Sequence, residues 1–226
     1  MKGALVVFVK TPGLSPIKTR LAKGIGRENA NIFFVKSVRA VESIAHKIYK
    51  NNEADCQPHW AIAENNGLTH ELWKKFPQLF TGYGDLGQRL YHVYSSLNKS
   101  FDYTIFLGMD SPQITESLIL QTISILESYP QKFVIGPAKD GGYYLFGGTQ
   151  ELPEFVFTDV TYSSNHTLSE FTENLKQMGE IETLTELSDV DTKDELRSVY
   201  SEFHGPLTKS QNILKEWIYK IIINRQ

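Results

Sequence analysis

The sequence predicts an α/β protein with one mostly parallel sheet flanked by helices. Two observations lead there. Continuous apolar runs rich in branched residues recur along the chain, as in strands buried on both faces. Between them lie longer stretches with helical spacing, so strand and helix alternate and parallel pairing follows. A third observation sets the scale. At 226 residues, with 41% hydrophobic and 22% charged residues, the chain can bury a core as one domain.

In order, "ALVVFV" (4–9) reads as a buried strand and 28–50 as a helix. "HWAIA" (59–63) reads as a strand and "LGQRLYHVYSSL" (86–97) as a helix. "YTIFLGMD" (103–110) is a second continuous apolar strand, and 115–128 is a helix with Thr115 as its N-cap. Strands are expected at 132–138, 143–148 and 181–184, and helices near 165–178, 192–203 and 211–224. The segment "KKFPQLFT" reads as a poor strand because of Pro77.

Composition narrows the function. A formal net charge of -3 provides no global field to attract nucleic acid. Cys56 is the single cysteine, so there is no internal disulfide and no cysteine-rich zinc site. A cytoplasmic location is the expectation. The apolar run at the N-terminus is too short for a signal peptide, and no stretch approaches the roughly 18 apolar residues that span a bilayer.

Ligands of such sheets sit beyond the carboxyl ends of the strands, so the residues that follow each strand matter most. After 4–9 comes a stiff loop, "KTPGLSPIKTR", with Lys10, Lys18 and Arg20 around Pro12, Gly13 and Pro16. After 103–108 comes Asp110. After 132–136 comes "GPAKDGGYY", with Asp140, Gly141 and Gly142, and after 181–184 come Asp189 and Asp191. Cations at one strand end and carboxylates at three others suit a polyphosphate with a hard divalent cation. Each feature also has an ordinary structural reading. The cations suit a solvated turn, Asp110 a helix cap, "KDGG" a hairpin, and Asp189 and Asp191 a helix start.

Other patterns carry less. "GYGDLG" (82–87) matches the dinucleotide spacing but lacks a good preceding strand. "IKTR" lacks the upstream glycines of a phosphate-binding P-loop. The six histidines show no metal-ligand spacing, and the serines sit in no nucleophile elbow.

Taken together, "FVKTPGLSPIKTRLA", "GDLGQRL", "LGMDSPQIT", "IGPAKDGGYYLFG" and "DVDTKDEL" resemble the radical-SAM/selenodomain-associated transferase family. This is a branch of the nucleotide-diphospho-sugar transferase (GT-A) superfamily. The matches run in order from residue 4 to about residue 196. The resemblance implies a single GT-A domain over 1–226, with 204–226 as a C-terminal helical extension. It implies magnesium or manganese, a nucleotide or nucleotide-sugar substrate, and a small-molecule acceptor. By position it assigns the metal to Asp110 and Asp191. It assigns phosphate and nucleotide binding to Lys10, Pro12, Lys18, Arg20, Asp85, Gly87, Gly141 and Gly142. Lys18, Arg20 and Asp140 are the expected catalytic residues.

Two positions depart from the family. Ser15 stands where it usually has glycine, and Tyr162-Ser163-Ser164 where it has Trp-Ser-Thr. Three functions are in view. One is nucleotidyl transfer from an NTP to a phosphorylated or hydroxylated acceptor. Another is glycosyl transfer from an NDP-sugar, with one aspartate where such enzymes often carry an Asp-x-Asp pair. The third is a nucleotide-binding protein without turnover. Beyond Phe203, the apolar residues of the last helix are expected to pack on the chain's own sheet, with a homodimer contact as the alternative.

Overall fold

Branched and aromatic residues buried on both faces build the sheet first. The computed structural model describes residues 1–51 and 54–223. Among them seven strands form one sheet: β1 (Gly3–Val9), β2 (Cys56–Ile62), β3 (Gln78–Phe80), β4 (Tyr103–Leu107), β5 (Lys132–Pro137), β6 (Tyr143–Gly148) and β7 (Glu180–Thr183). Their order is β3-β2-β1-β4-β6-β5-β7. Only β6 runs antiparallel to its neighbours; the other pairs are parallel. Gly3 opens β1 because a side chain there would overlap the Tyr103 ring.

Eight α-helices and two single 3₁₀ turns, at Asn65–Gly67 and Glu71–Trp73, complete the described chain: α1 (Thr19–Ile25), α2 (Arg27–Lys50), α3 (Leu86–Leu97), α4 (Glu116–Ser128), α5 (Phe155–Thr158), α6 (Thr167–Lys176), α7 (Glu195–Glu202) and α8 (Lys209–Ile223). Alternate residues of β1 face opposite layers. Leu5, Val7 and Val9 pack with α2 and α4, while Ala4 and Val6 pack with α3, α5 and α6. On the second face Tyr94, Phe106, Phe146, Phe157 and Phe171 form a continuous aromatic cluster.

Three details differ from the sequence expectations. β2 begins at Cys56 and passes through Pro58, which has no amide to donate. It survives there because β3 pairs only with Trp60–Ile62, leaving Pro58 on an open edge. A strand does form after Pro77: β3 is a three-residue edge strand, and proline is tolerated just ahead of it. The segment 103–110 is strand only to Leu107, which frees Gly108 to Ser111 to form a loop. The short helix α5 and the turn of α1 carry too little apolar periodicity to be read in advance.

The C-terminal segment is not an appendage. Leu214 and Ile218 of α8 are fully buried with Phe33 and Ala40 of α2 and Val199 of α7. Its apolar face therefore packs on helices rather than on the sheet. Residues 224–226 lie outside the described residues. No described helix is long and apolar enough to cross a membrane.

Candidate active site

The loop after β1 is pinned at its start. Thr11 is buried; its amide donates to Glu64 Oε2 at 2.8 Å, and its hydroxyl accepts from Trp73 Nε1 at 3.1 Å. The amides of Leu14 and Ser15 both donate to the Thr11 carbonyl, closing a tight turn in which Gly13 has φ 85°. Ser15, at the position where the family has glycine, sits inside that turn. The chain then reaches Lys18, which has φ 48° and ψ 43°. A side chain in the left-handed region costs on the order of 1 kcal/mol, so surrounding contacts must hold it.

Those contacts are carboxylates. Lys18 Nζ lies 2.6 Å from Asp110 Oδ1 and 3.5 Å from Asp191 Oδ1, and donates to the Val190 carbonyl. Only 6% of the Lys18 side chain is exposed, against 51% for Asp110 and 37% for Asp191. The cation is thus buried beneath two open carboxylates. Arg20 Nη1 adds a contact at 3.3 Å to Asp191 Oδ2 but stays exposed. The Val190 amide donates to the Asp110 carbonyl at 3.0 Å, tying the loop before α7 to the end of β4. Glu195 accepts the amides of Asp191 and Thr192 at 2.5 and 2.6 Å, holding the loop ahead of α7 without using the Asp191 carboxylate.

Of this cluster Arg20, Asp110 and Asp191 border a cavity of about 520 Å³ at the carboxyl ends of β1 and β4, while Lys18 lies behind the two carboxylates and does not line it. Asp110, Ser111, Asp140 and Asp189 supply polar wall, and Phe8, Leu86, Leu90 and Phe106 supply apolar wall. Tyr162, Ser163 and Ser164, the other departure from the family pattern, line it too. Asp189 is 8% exposed. Burial, then the nearby charge of Asp140, pushes its carboxyl up to about 7. Ser111 Oγ is buried with no protein partner.

The "KDGG" segment is both a hairpin and a cavity wall. It joins β5 to β6, and Asp140 Oδ1 accepts the Gly142 amide at 2.8 Å. Gly141 has φ 88°, and a Cβ there would lie 2.5 Å from the Asn165 carbonyl. Asp140 and Gly142 line the cavity; Gly141 serves the turn.

Other expected site residues lie elsewhere. Lys10 is exposed and Pro12 belongs to the turn; neither lines the cavity. Asp85 caps α3 with Gln88 in a reciprocal box, at 2.9 and 3.0 Å. Gly87 lets α3 touch α5: an added Cβ would sit 2.4 Å from the Phe157 carbonyl. Arg89 binds the carbonyls of Gly84 and Ala63. Within "GDLGQRL", Leu86 and Leu90 reach the cavity. Tyr143 stacks on Phe171 at 4.8 Å, and the Tyr144 hydroxyl donates to the Thr185 carbonyl at 2.9 Å.

Among the described residues no group of three His, Cys, Asp or Glu converges to hold a metal. Asp110 and Asp191 nevertheless fit a hard divalent cation in part. They are exposed oxygen donors that already share one charge, on Lys18. Such ions take part of their shell from bound phosphates. The donor set suits a cation that arrives with its nucleotide.

Sequence reasoning missed Glu202, which accepts hydrogen bonds from Ser188, Gln113 and Lys139. It also missed the orphan hydroxyl of Ser111. Neither lies in a pattern that spacing could reveal.

Comparison with solved structures agrees with the fold. A Desulfovibrio desulfuricans G20 protein described as a candidate nucleotide-diphospho-sugar transferase superposes with a TM-score of 0.80 at 22% identity, covering 98% of this chain and 99% of that one. A cytidylyltransferase from Leptospira borgpetersenii gives 0.57 at 16% identity, covering 100% and 98%. The 4-diphosphocytidyl-2C-methyl-D-erythritol synthase of Anaerococcus prevotii gives 0.53 at 11% identity, covering 89% and 96%. At these identities the likeness establishes the fold, a GT-A-like α/β domain. A comparison with curated proteins gave no match. The profile of DUF2064, described as an uncharacterized protein conserved in bacteria, matches residues 46–164, more than half of the sequence, and the chain belongs to that family.

Proposed function

We propose that the protein is a metal-dependent transferase acting on a nucleotide-activated substrate. It would move a glycosyl group from an NDP-sugar, or a nucleotidyl group from an NTP, to a small acceptor. The observation that carries this reading is Lys18, held in a strained backbone against Asp110 and Asp191, the two carboxylates that line the cavity in front of it. Strain kept at a charged cluster beside a cavity is typical of functional sites.

In this reading Lys18 and Arg20 turn toward the phosphates, with Arg20 contributing a two-pronged contact. Asp110 and Asp191, freed from Lys18, hold magnesium or manganese. When bound, the cation offsets charge on the phosphate oxygens and on the leaving group. The apolar wall of Phe8, Leu86 and Leu90 receives the base or the sugar, and Gly142 leaves room for close approach. Asp140 faces the acceptor as a contact or general base. Lys10 and Pro12 border the phosphate loop, Gly141 sets the shape of the acceptor hairpin, and Asp85 and Gly87 hold the α3 edge in place.

Likeness to cytidylyltransferases supports the NTP branch, and likeness to the Desulfovibrio protein supports the NDP-sugar branch. Product analysis separates them. Incubation with magnesium, each donor and a pool of phosphorylated and hydroxylated acceptors should release pyrophosphate from an NTP or nucleoside diphosphate from an NDP-sugar. Either product should vanish in Asp110→Ala. Turnover that survives in Asp110→Ala would contradict the assignment of the site.

A further inference from the structure

The segments that carry the site aspartates are gathered from behind by one residue of α7. Glu202 Oε2 accepts the Ser188 amide at 2.8 Å and Gln113 Nε2 at 2.9 Å. Its Oε1 accepts the Ser188 hydroxyl at 2.6 Å and Lys139 Nζ at 2.8 Å. The ring is closed by Lys139 Nζ to Ser188 Oγ at 3.0 Å and Gln113 Nε2 to the Ser188 carbonyl at 2.6 Å. Gln113 and Ser188 are almost fully buried.

Each partner sits beside a site carboxylate. Gln113 is three residues beyond Asp110, Lys139 precedes Asp140, and Ser188 precedes Asp189 and lies three before Asp191. Three strand ends are therefore tied to one carboxylate that does not line the cavity. We propose that Glu202 is the positioning residue of the site: it fixes the loops bearing Asp110, Asp140 and Asp191 relative to one another. This rests on the transferase reading above, but its mechanical part stands on its own. Both oxygens of Glu202 are filled by four donors, though the buried Oε1 of Gln113 finds no protein partner, and buried hydrogen-bonded networks of this kind rigidify what they connect. Supporting groups behind a metal site commonly set its affinity.

The test uses the full chain with Glu202→Ala and Glu202→Gln, followed by amide hydrogen exchange. Alanine should speed exchange in 110–113, 138–142 and 187–191 together, while β1 and α2 stay protected. Glutamine can turn its amide oxygen to Ser188 and Gln113 but then presents a donor to Lys139. It should restore 110–113 and 187–191 and leave 138–142 loose. Exchange changed only within α7 would overturn the proposal, as would a glutamine variant identical to alanine.

Binding supplies the second readout, with CTP, GTP and UDP-glucose as probes, each with magnesium. If the wild type binds one of them, alanine should weaken it by about tenfold, with partial rescue by glutamine. Unchanged affinity in the alanine variant would reduce Glu202 to a structural residue. If the wild type binds none while exchange follows the stated pattern, the loops are tied as proposed and the transferase reading is what falls.

Discussion

Lys18 accepts an unfavourable backbone in order to bring a cation between two carboxylates. Its removal should have two opposite effects. Affinity for a magnesium-bound nucleotide should drop in Lys18→Ala by roughly 10- to 100-fold, the worth of one charge-assisted hydrogen bond. Affinity for manganese alone should rise, because Asp110 and Asp191 would face each other without a counter-charge. Electron paramagnetic resonance of free manganese reads the second effect directly. Equal manganese binding by wild type and variant would mean that Lys18 is not the counter-ion of that pair.

Some of this was legible in residues and some was not. Lys18, Asp110 and Asp191 stand out because charges in the loops that follow strands converge on the carboxyl edge of the sheet. Lys10 stands out equally and lies exposed outside the cavity. Sequence shows which residues follow a strand, but a side chain's direction depends on loop geometry such as the left-handed turn at Lys18. Glu202 gives no sign at all, since its partners lie 14, 63 and 89 residues away.

At the level of elements, α3 was readable because its apolar period and its length agree, while its Asp85 cap, expected to bind nucleotide, emerged only in the structure. Gly87 within it meets a backbone carbonyl of α5, which cannot move aside as a flexible side chain would. Gly87→Ala should lower stability by about 1–3 kcal/mol, measured by urea unfolding. A neutral result would return Gly87 to ligand binding. β2 and β3 were harder because prolines tolerated only at an open edge look like breaks until the pairing is known. For α8, Leu214→Ala should cost about 2–5 kcal/mol, the range for a buried leucine, if the helix is integral to the fold.

The end of α7 also supplies a pH signature. Burial pushes the Glu202 carboxyl up, but hydrogen bonds from Lys139, Ser188 and Gln113 outweigh it and hold the carboxyl below its ordinary value. A carboxyl lowered by folding stabilises the protein above its unfolded pKa, and that stabilisation is lost as pH falls through the folded value. The difference in Tm between wild type and Glu202→Gln should therefore be largest near neutral pH and shrink in acid. A difference constant with pH would contradict the charged role.

At the scale of the molecule, the alternation of strand and helix fixed the class, and motif order pointed to the family fold. Strand order was beyond reach, because it depends on long-range pairing that periodicity does not encode. That order places β1 beside β4, which brings Lys18 to Asp110. Antiparallel β6 turns the Asp140 hairpin back onto the same cavity.

On the proposed function this rim binds a nucleotide together with a divalent cation. Thermal unfolding of wild type and Asp110→Ala against NTPs and NDP-sugars, each with and without magnesium, tests it most directly. A matching ligand at about 100 times its Kd should stabilise the wild type by roughly 2.7 kcal/mol, only with magnesium, and the variant much less. No stabilisation by any ligand, or an equal shift in Asp110→Ala without magnesium, would contradict it.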